Sequence, residues 1–349
     1  MWILQGHRHM VKCIASDVFG KWVVTADSGP ENVLTIWDCK DYFPHKTLFA
    51  PHGTAKIAKV ALSADAKYML TVAYLADRVA IYWWIWSYGY EVPHAKYEMT
   101  NMARDCIVDM GFNPSKSEQF LLMSRTNIFM GISRKVFVME RGLLKETDRW
   151  ELILETKDRV NPEYGKLMCY TFVTSTAQIL LGTSRGAALV YGYTMEYQTD
   201  FEPADYNNLK YIKMLKLNKR AINVIKNIDG IIVTGNSIGE IHFYDDQLKL
   251  LYWVHGFTVD RVKGLSFNLA PRSSMILDPK CNKPCPCWEK VEVKKDPVTG
   301  ETTKKLIKMK LPSDASVSGK PFLVRDFVVC TFNQGVGFVD FVTEKYTTI

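Results

Sequence analysis

Apolar residues along this chain follow period two, not the three-to-four spacing of helices. Short runs rich in Val, Ile and aromatics are bounded by Gly, Pro, Asn and Asp, which predicts strands joined by turns. In "WVVTADSGPENVLTIWD" (22–38) one strand leads through a Gly-Pro turn to a second that ends in Trp-Asp. The outline recurs in "YMLTVAYLADRVAIYWW" (68–84), "ILLGTSRGAALVYGY" (179–193), "GIIVTGNSIGEIHFYDD" (230–246) and "FVVCTFNQGVGFVDF" (327–341). Each hairpin follows another short apolar run, at 11–15, 57–62, 167–172, 221–225 and 262–267.

The spacing of the closing aromatics turns these hairpins into a repeat. Trp37 and Trp83 lie 46 positions apart, and Tyr191 and Tyr244 lie 53 apart. Trp83 and Tyr191 are 108 apart, which leaves room for one more unit. "FLLMSRTNIFMGI" (120–132), preceded by the run 106–112, fills that place. Periods of roughly 40–50 residues with this content predict an all-β WD-repeat β-propeller with about six visible blade units. Seven is the usual number for this kind of repeat. The gap between the first and last units is therefore expected to be filled by more of the same polypeptide or by a tightly bound neighbour.

The densest aromatic stretch, "RVAIYWWIWSYGYEVP" (78–93), fits this architecture. Val79, Ile81, Trp83 and Ile85 alternate with Ala80, Tyr82, Trp84 and Trp86. Both faces of that strand are apolar, as a blade packed between two neighbours requires. Base stacking would need exposed rings interleaved with Lys and Arg, whereas Arg78 stands alone at the start of the run. The opening "LQGH" and the Trp37-Asp38 pair frame the best-formed unit. A buried indole N–H needs an acceptor, so His7, Thr25 and Trp37 are expected to form a structural hydrogen-bond chain. That role is favoured over metal ligation by His7 with His9.

Composition narrows the classes. Apolar content of 47% and charged content of 23% are ordinary for a globular protein. The longest strongly apolar run, 79–86, falls well short of the roughly 18–20 residues of a membrane crossing. Eight scattered cysteines read as reduced thiols of a cytosolic protein, not a disulfide framework. A net charge of +7 favours an acidic partner, and on charge alone tubulin, nucleic acid and anionic lipid all qualify. Neither a nucleic acid nor a membrane is expected. No P-loop, H-E-x-x-H or G-x-S-x-G occurs, so no catalytic or cofactor-binding residue is assigned.

The last period is stretched by an insertion at about 271–321. It holds Cys281, Cys285 and Cys287, with His255 as the nearest further donor. Pro284, Pro286 and the lack of a nearby fourth ligand depart from zinc spacings, so no metal is assigned. It also holds "WEKVEVKKDPVTGETTKKLIKMKLP" (288–312), expected to form a hairpin with Val291 and Val293 facing Leu306 and Met309. Its Lys290, Lys294, Lys295, Lys304, Lys305, Lys308 and Lys310 are the candidate partner-binding residues. "LKYIKMLKLNKRAI" (209–222) is basic and apolar like a calmodulin target, but it falls where a blade's outer strand belongs.

Several stretches resemble one family: "LQGHRHMVKCIASDVFGKWVVTADSGPENVLTIWD", "LSADAKYMLTVA" and "INVIKNIDGIIVTGNSIGEIHFYDDQLKLLYWV". They are similar to the cilia- and flagella-associated WD-repeat family of the calmodulin- and spoke-associated complex. The element 25–31, with its Gly-Pro turn, lengthens a blade turn and also occurs in other microtubule-associated WD-repeat proteins. The resemblance implies a non-catalytic scaffold of the ciliary or flagellar axoneme, at the base of a radial spoke on doublet microtubules. Its partners would be radial spoke proteins, other subunits of that complex and tubulin. It also implies that residues 1–349 form a single propeller, the first of a longer protein. The rival readings are another microtubule-associated WD-repeat protein and a general adaptor that binds peptides at its channel mouth.

Overall fold

The structure, a computed structural model, describes residues 6–18, 20–40, 43–89, 91–100, 106–140, 143–157, 160–173, 178–192, 209–228, 230–254, 260–267, 288–295, 302–309, 326–333, 335–340 and 345–349. It is a six-bladed β-propeller of four-stranded antiparallel blades. The one helical element among the described residues is a 3-10 turn, Pro162–Tyr164, and no helix there is long and apolar enough to cross a membrane.

Blade 1 is β1 (Val11–Ser16), β2 (Trp22–Asp27), β3 (Leu34–Asp38) and β4 (Pro44–Leu48). Blade 2 is β5 (Lys56–Leu62), β6 (Met69–Tyr74), β7 (Arg78–Trp84) and β8 (Ala95–Thr100). Blade 3 is β9 (Asp109–Phe112), β10 (Gln119–Met123), β11 (Ile128–Glu140) and β12 (Leu143–Thr156). Blade 4 is β13 (Leu167–Val173), β14 (Gln178–Thr183), β15 (Ala187–Gly192) and β16 (Lys210–Lys216). Blade 5 is β17 (Ile222–Ile228), β18 (Ile231–Asn236), β19 (Ile241–Tyr244) and β20 (Leu250–Val254). Blade 6 begins with β21 (Val262–Phe267). It is interrupted by a separate two-stranded sheet, β22 (Trp288–Lys295) with β23 (Thr302–Met309). It is completed by β24 (Phe327–Thr331), β25 (Gly335–Asp340) and β26 (Lys345–Thr348).

The aromatic stretch behaves as its pattern predicts. In β7 and just beyond it, Val79, Ile81, Trp83 and Ile85 pack in a buried cluster with blade 3. Tyr82, Trp84 and Trp86 pack on the other face with blade 1. One detail of the repeat needs correction. Trp37 pairs with Val23 on β2, and the residue in that register on blade 2 is Trp84, paired with Met69. Trp83 is one step off and so points to the opposite face, because side chains alternate along a strand. Stretch 210–216 is the outer strand β16, not a helix.

Buried apolar residues lie in five clusters, one between each pair of consecutive blades from 1–2 to 5–6. Close contact is enforced at glycines. A Cβ on Gly235 of β18 would come within 2.6 Å of Val262 in the next blade. Such a position tolerates no side chain, because interiors are packed too densely to yield.

Candidate functional site

The expected hydrogen-bond chain is present and longer than the sequence suggested. Trp37 Nε1 donates to Thr25 Oγ1 at 2.7 Å, and His7 Nε2 lies 2.6 Å from the same oxygen. His7 Nδ1 sits 3.0 Å from Asp27 Oδ2. A carboxylate can only accept, so Nδ1 donates to Asp27, and in the neutral ring Nε2 accepts from the Thr25 hydroxyl. Burial alone would raise the Asp27 pKa. The His7 bond and the backbone N–H groups of Gly29 and Val33 outweigh it, and the carboxyl is held below its ordinary value. Those two N–H groups each donate to Oδ1 at 3.1 Å and so tie the Gly-Pro turn to the blade. These polar atoms are consumed in holding blade 1 together.

A second chain, not foreseen, repeats this in blade 2. Trp84 Nε1 donates to Thr71 Oγ1 at 2.9 Å, and His52 Nε2 lies 2.7 Å from that oxygen. His52 stacks on Tyr82 with ring centroids 3.9 Å apart, and the Lys96 ammonium also lies over Tyr82. Burial first, and the Lys96 charge second, push the His52 pKa down to about 3. The ring is therefore neutral at pH 7. The signal available in the sequence was the Thr-to-Trp interval: 12 positions in blade 1 and 13 in blade 2.

The innermost strands carry a polar cluster inside the ring. Asp109 of β9 feels the charges of Lys59 on β5 and Lys226 on β17. Its surface is partly solvent-accessible, yet protein surrounds it deeply enough that desolvation raises its pKa against both lysines. Burial pushes the neighbouring Tyr170 hydroxyl well up, and the Asp109 charge adds to this. A shallow cavity on the rim of blade 1 is lined by Asp38, Lys40, Phe43, Pro44 and His45. Among the described residues no group of three or more His, Cys, Asp or Glu is arranged to hold a metal.

The insertion hairpin exists as a backbone feature. Val291 pairs with Leu306 as expected, while Val293 pairs with Lys304 and Met309 with Trp288. Lys290, Lys294 and Lys295 lie on β22, and Lys304, Lys305 and Lys308 on β23. Lys310, His255, Cys281, Cys285 and Cys287 lie outside the described residues, as does the N-terminal segment 1–5.

The rim offers two further features. On β11, residues 128–132 pair with β10, but beyond Ser133 the strand pairs only with β12. The two strands thus leave blade 3 as a ribbon, with Phe137, Val138 and Met139 exposed towards its tip. Ion pairs Arg134–Glu151 and Lys135–Glu146 cross the ribbon, and Trp150 packs against Trp83 of blade 2 at 4.6 Å. On blade 4, β16 exposes Tyr211, Ile212 and Met214 among Lys210, Lys213 and Lys216.

Comparison with known proteins completes the picture. The profile of a family described as the CFAP251 N-terminal domain matches residues 2–343. Cilia- and flagella-associated protein 251 of Mus musculus is 26% identical over 341 residues, 95% of this chain and 23% of that protein. The protein of the same name from Tetrahymena thermophila is 25% identical over 281 residues, 77% of this chain and 27% of that protein. This chain thus spans about a quarter of the length of these relatives. Among solved structures, the β-propeller domain of Myceliophteria_thermophila Cps50 (Swd1) superposes with a TM-score of 0.55 at 11% identity. It covers 98% of this chain and 86% of that one, and it shows the fold alone.

Proposed function

The chain belongs to the CFAP251 N-terminal domain family, and on that premise we propose that it is a non-catalytic scaffold of the ciliary or flagellar axoneme. It sits at the base of a radial spoke on doublet microtubules and links spoke proteins to calmodulin-associated components. The observation that carries this reading is the match over residues 2–343 to relatives named as cilia- and flagella-associated. A scaffold role is supported by how polar groups are used. The best-formed buried polar chains, around Trp37 and Trp84, are spent inside blades, while exposed apolar and basic residues lie on the rim, on β16 and on the blade 3 ribbon. The test is localisation. The tagged protein should lie along the cilium and remain with the axoneme after detergent extraction, and its loss should release spoke components. A diffuse cell-body signal would overturn the proposal.

A second reading, direct microtubule binding outside the spoke complex, is favoured by the net charge of +7 and the lysine-rich hairpin. Surfaces of this kind gain from the acidic face of tubulin. Co-pelleting of the purified protein with stabilised microtubules separates the two. Salt-sensitive pelleting without any spoke partner supports the second reading.

A further inference from the structure

Four of the five successive blade interfaces share one feature, and the remaining pair of faces, on blades 1 and 6, lacks it. In blades 2, 4, 5 and 6 the residue before the bulge of the innermost strand faces the preceding blade. These residues are Ile57, Leu167, Ile222 and Val262, each in the cluster shared with that blade. All four are buried. The same register in blade 1 holds Val11, which is 44% exposed. Past the bulge, Val60, Ile225 and Leu265 are buried in blades 2, 5 and 6, whereas Ile14 of blade 1 is 69% exposed.

The opposite face of blade 6 shows the matching defect. In blade 1 the pairs Val24–Ile36 and Ala26–Leu34 face the next blade and are fully buried. Leu70–Trp83 and Val72–Ile81 do the same in blade 2. In blade 6 that register holds Val328–Phe338 and Cys330–Val336. Phe338 and Val336 are each 38% exposed, and Val328 and Cys330 are half-buried. Among the described residues no apolar cluster joins blade 6 to blade 1.

We propose that these two faces receive one further β-sheet blade, supplied by the same polypeptide from outside residues 1–349. The faces specify the occupant's chemistry. Each is built from the positions that grip a blade elsewhere in this ring, so what fits is a sheet apolar on both sides. Left in water, such faces would be a lasting liability. Length specifies the source. The relatives match 76–95% of this chain, yet the match takes up only 23–33% of their own length, so further chain adjoins this unit in them. A blade in the same polypeptide docks at high effective concentration, without the cost of bringing in a second molecule. This inference does not depend on the ciliary reading.

The test is site-specific photo-cross-linking in the full polypeptide made in its own cells, with benzoylphenylalanine replacing Phe338 in one variant and Ile14 in another. Tyr252, packed at the blade 5–6 cluster, is the positive control. After irradiation the mass on a denaturing gel should not change. Digestion should join position 338, and position 14, to peptides of the same polypeptide outside residues 1–349. A cross-link from 338 to residues 11–14 would show that the ring closes on itself and would overturn the proposal. A jump to higher mass would assign the site to a separate polypeptide and would overturn it too. No cross-link at either position, with the control intact, would mean that the faces stay in water, which is equally fatal to it.

Discussion

Trp37 is the residue on which most of blade 1 converges: its ring is fully buried and its N–H anchors the Thr25–His7–Asp27 chain. Trp37→Ala should destabilise the protein by roughly 3–5 kcal/mol, read as a lower thermal midpoint; a midpoint within a degree or two of wild type would contradict it. His52 gives a pH signature. Its pKa is about 3 in the fold against an ordinary 6.5, so between those values the unfolded chain binds the extra proton and stability falls as pH falls. From pH 7 to pH 5 that amounts to about 2 kcal/mol at roughly 1.4 kcal/mol per pH unit. His52→Gln should flatten this part of the profile in denaturant titrations at the two pH values. Asp109 works the other way. Burial raises its pKa, so ionisation costs stability as pH rises through that range, and Asp109→Asn should melt higher than wild type at pH 8. The first of these chains was legible because Gly-His and Trp-Asp bracket it. The second was not, because His52 precedes its glycine and two adjacent tryptophans left the register open. Asp109 was invisible, because only the curvature of blades 2 to 5 around the axis brings Lys59 and Lys226 near it.

Elements were legible where alternation and turn residues agreed. All six innermost strands lie where the apolar runs predict them, within a few residues, and the outer strand β16 won over a helix because its edge pairs with β15. The ribbon of β11 and β12 escaped notice. Its strands of 13 and 14 residues are far longer than a usual strand of about 5–6, so "RKVFVMERGLLKETDRWELIL" fits no blade period. The insertion hairpin makes its own sheet apart from the blades. Deleting 278–319 should therefore leave the melting transition nearly unchanged and weaken association with microtubules or spoke proteins. Loss of cooperative unfolding on deletion would show instead that the insertion belongs to the folding unit.

On the scale of the whole molecule, sequence spacing revealed the ring and its count of visible units, but not how the ring's ends meet, since closure depends on surfaces far apart in the chain. Residues 1–349 expressed alone should self-associate through the faces carrying Ile14 and Phe338. The double variant Ile14→Lys, Phe338→Lys should scatter less light at equal concentration. A monodisperse, highly stable wild-type segment would mean that no face is left open. The ribbon of blade 3 has its own consequence at this scale. From 134 to 140 it projects roughly 23 Å at about 3.3 Å per residue, and its root is braced where Trp150 meets Trp83 and Tyr68 of blade 2. That is the geometry of a lever with its fulcrum on the neighbouring blade. A sideways pull at Phe137–Met139 becomes a torque on the blade 2–3 seam, so a load borne by the rim is felt first in the aromatic core, not in the strand that carries it.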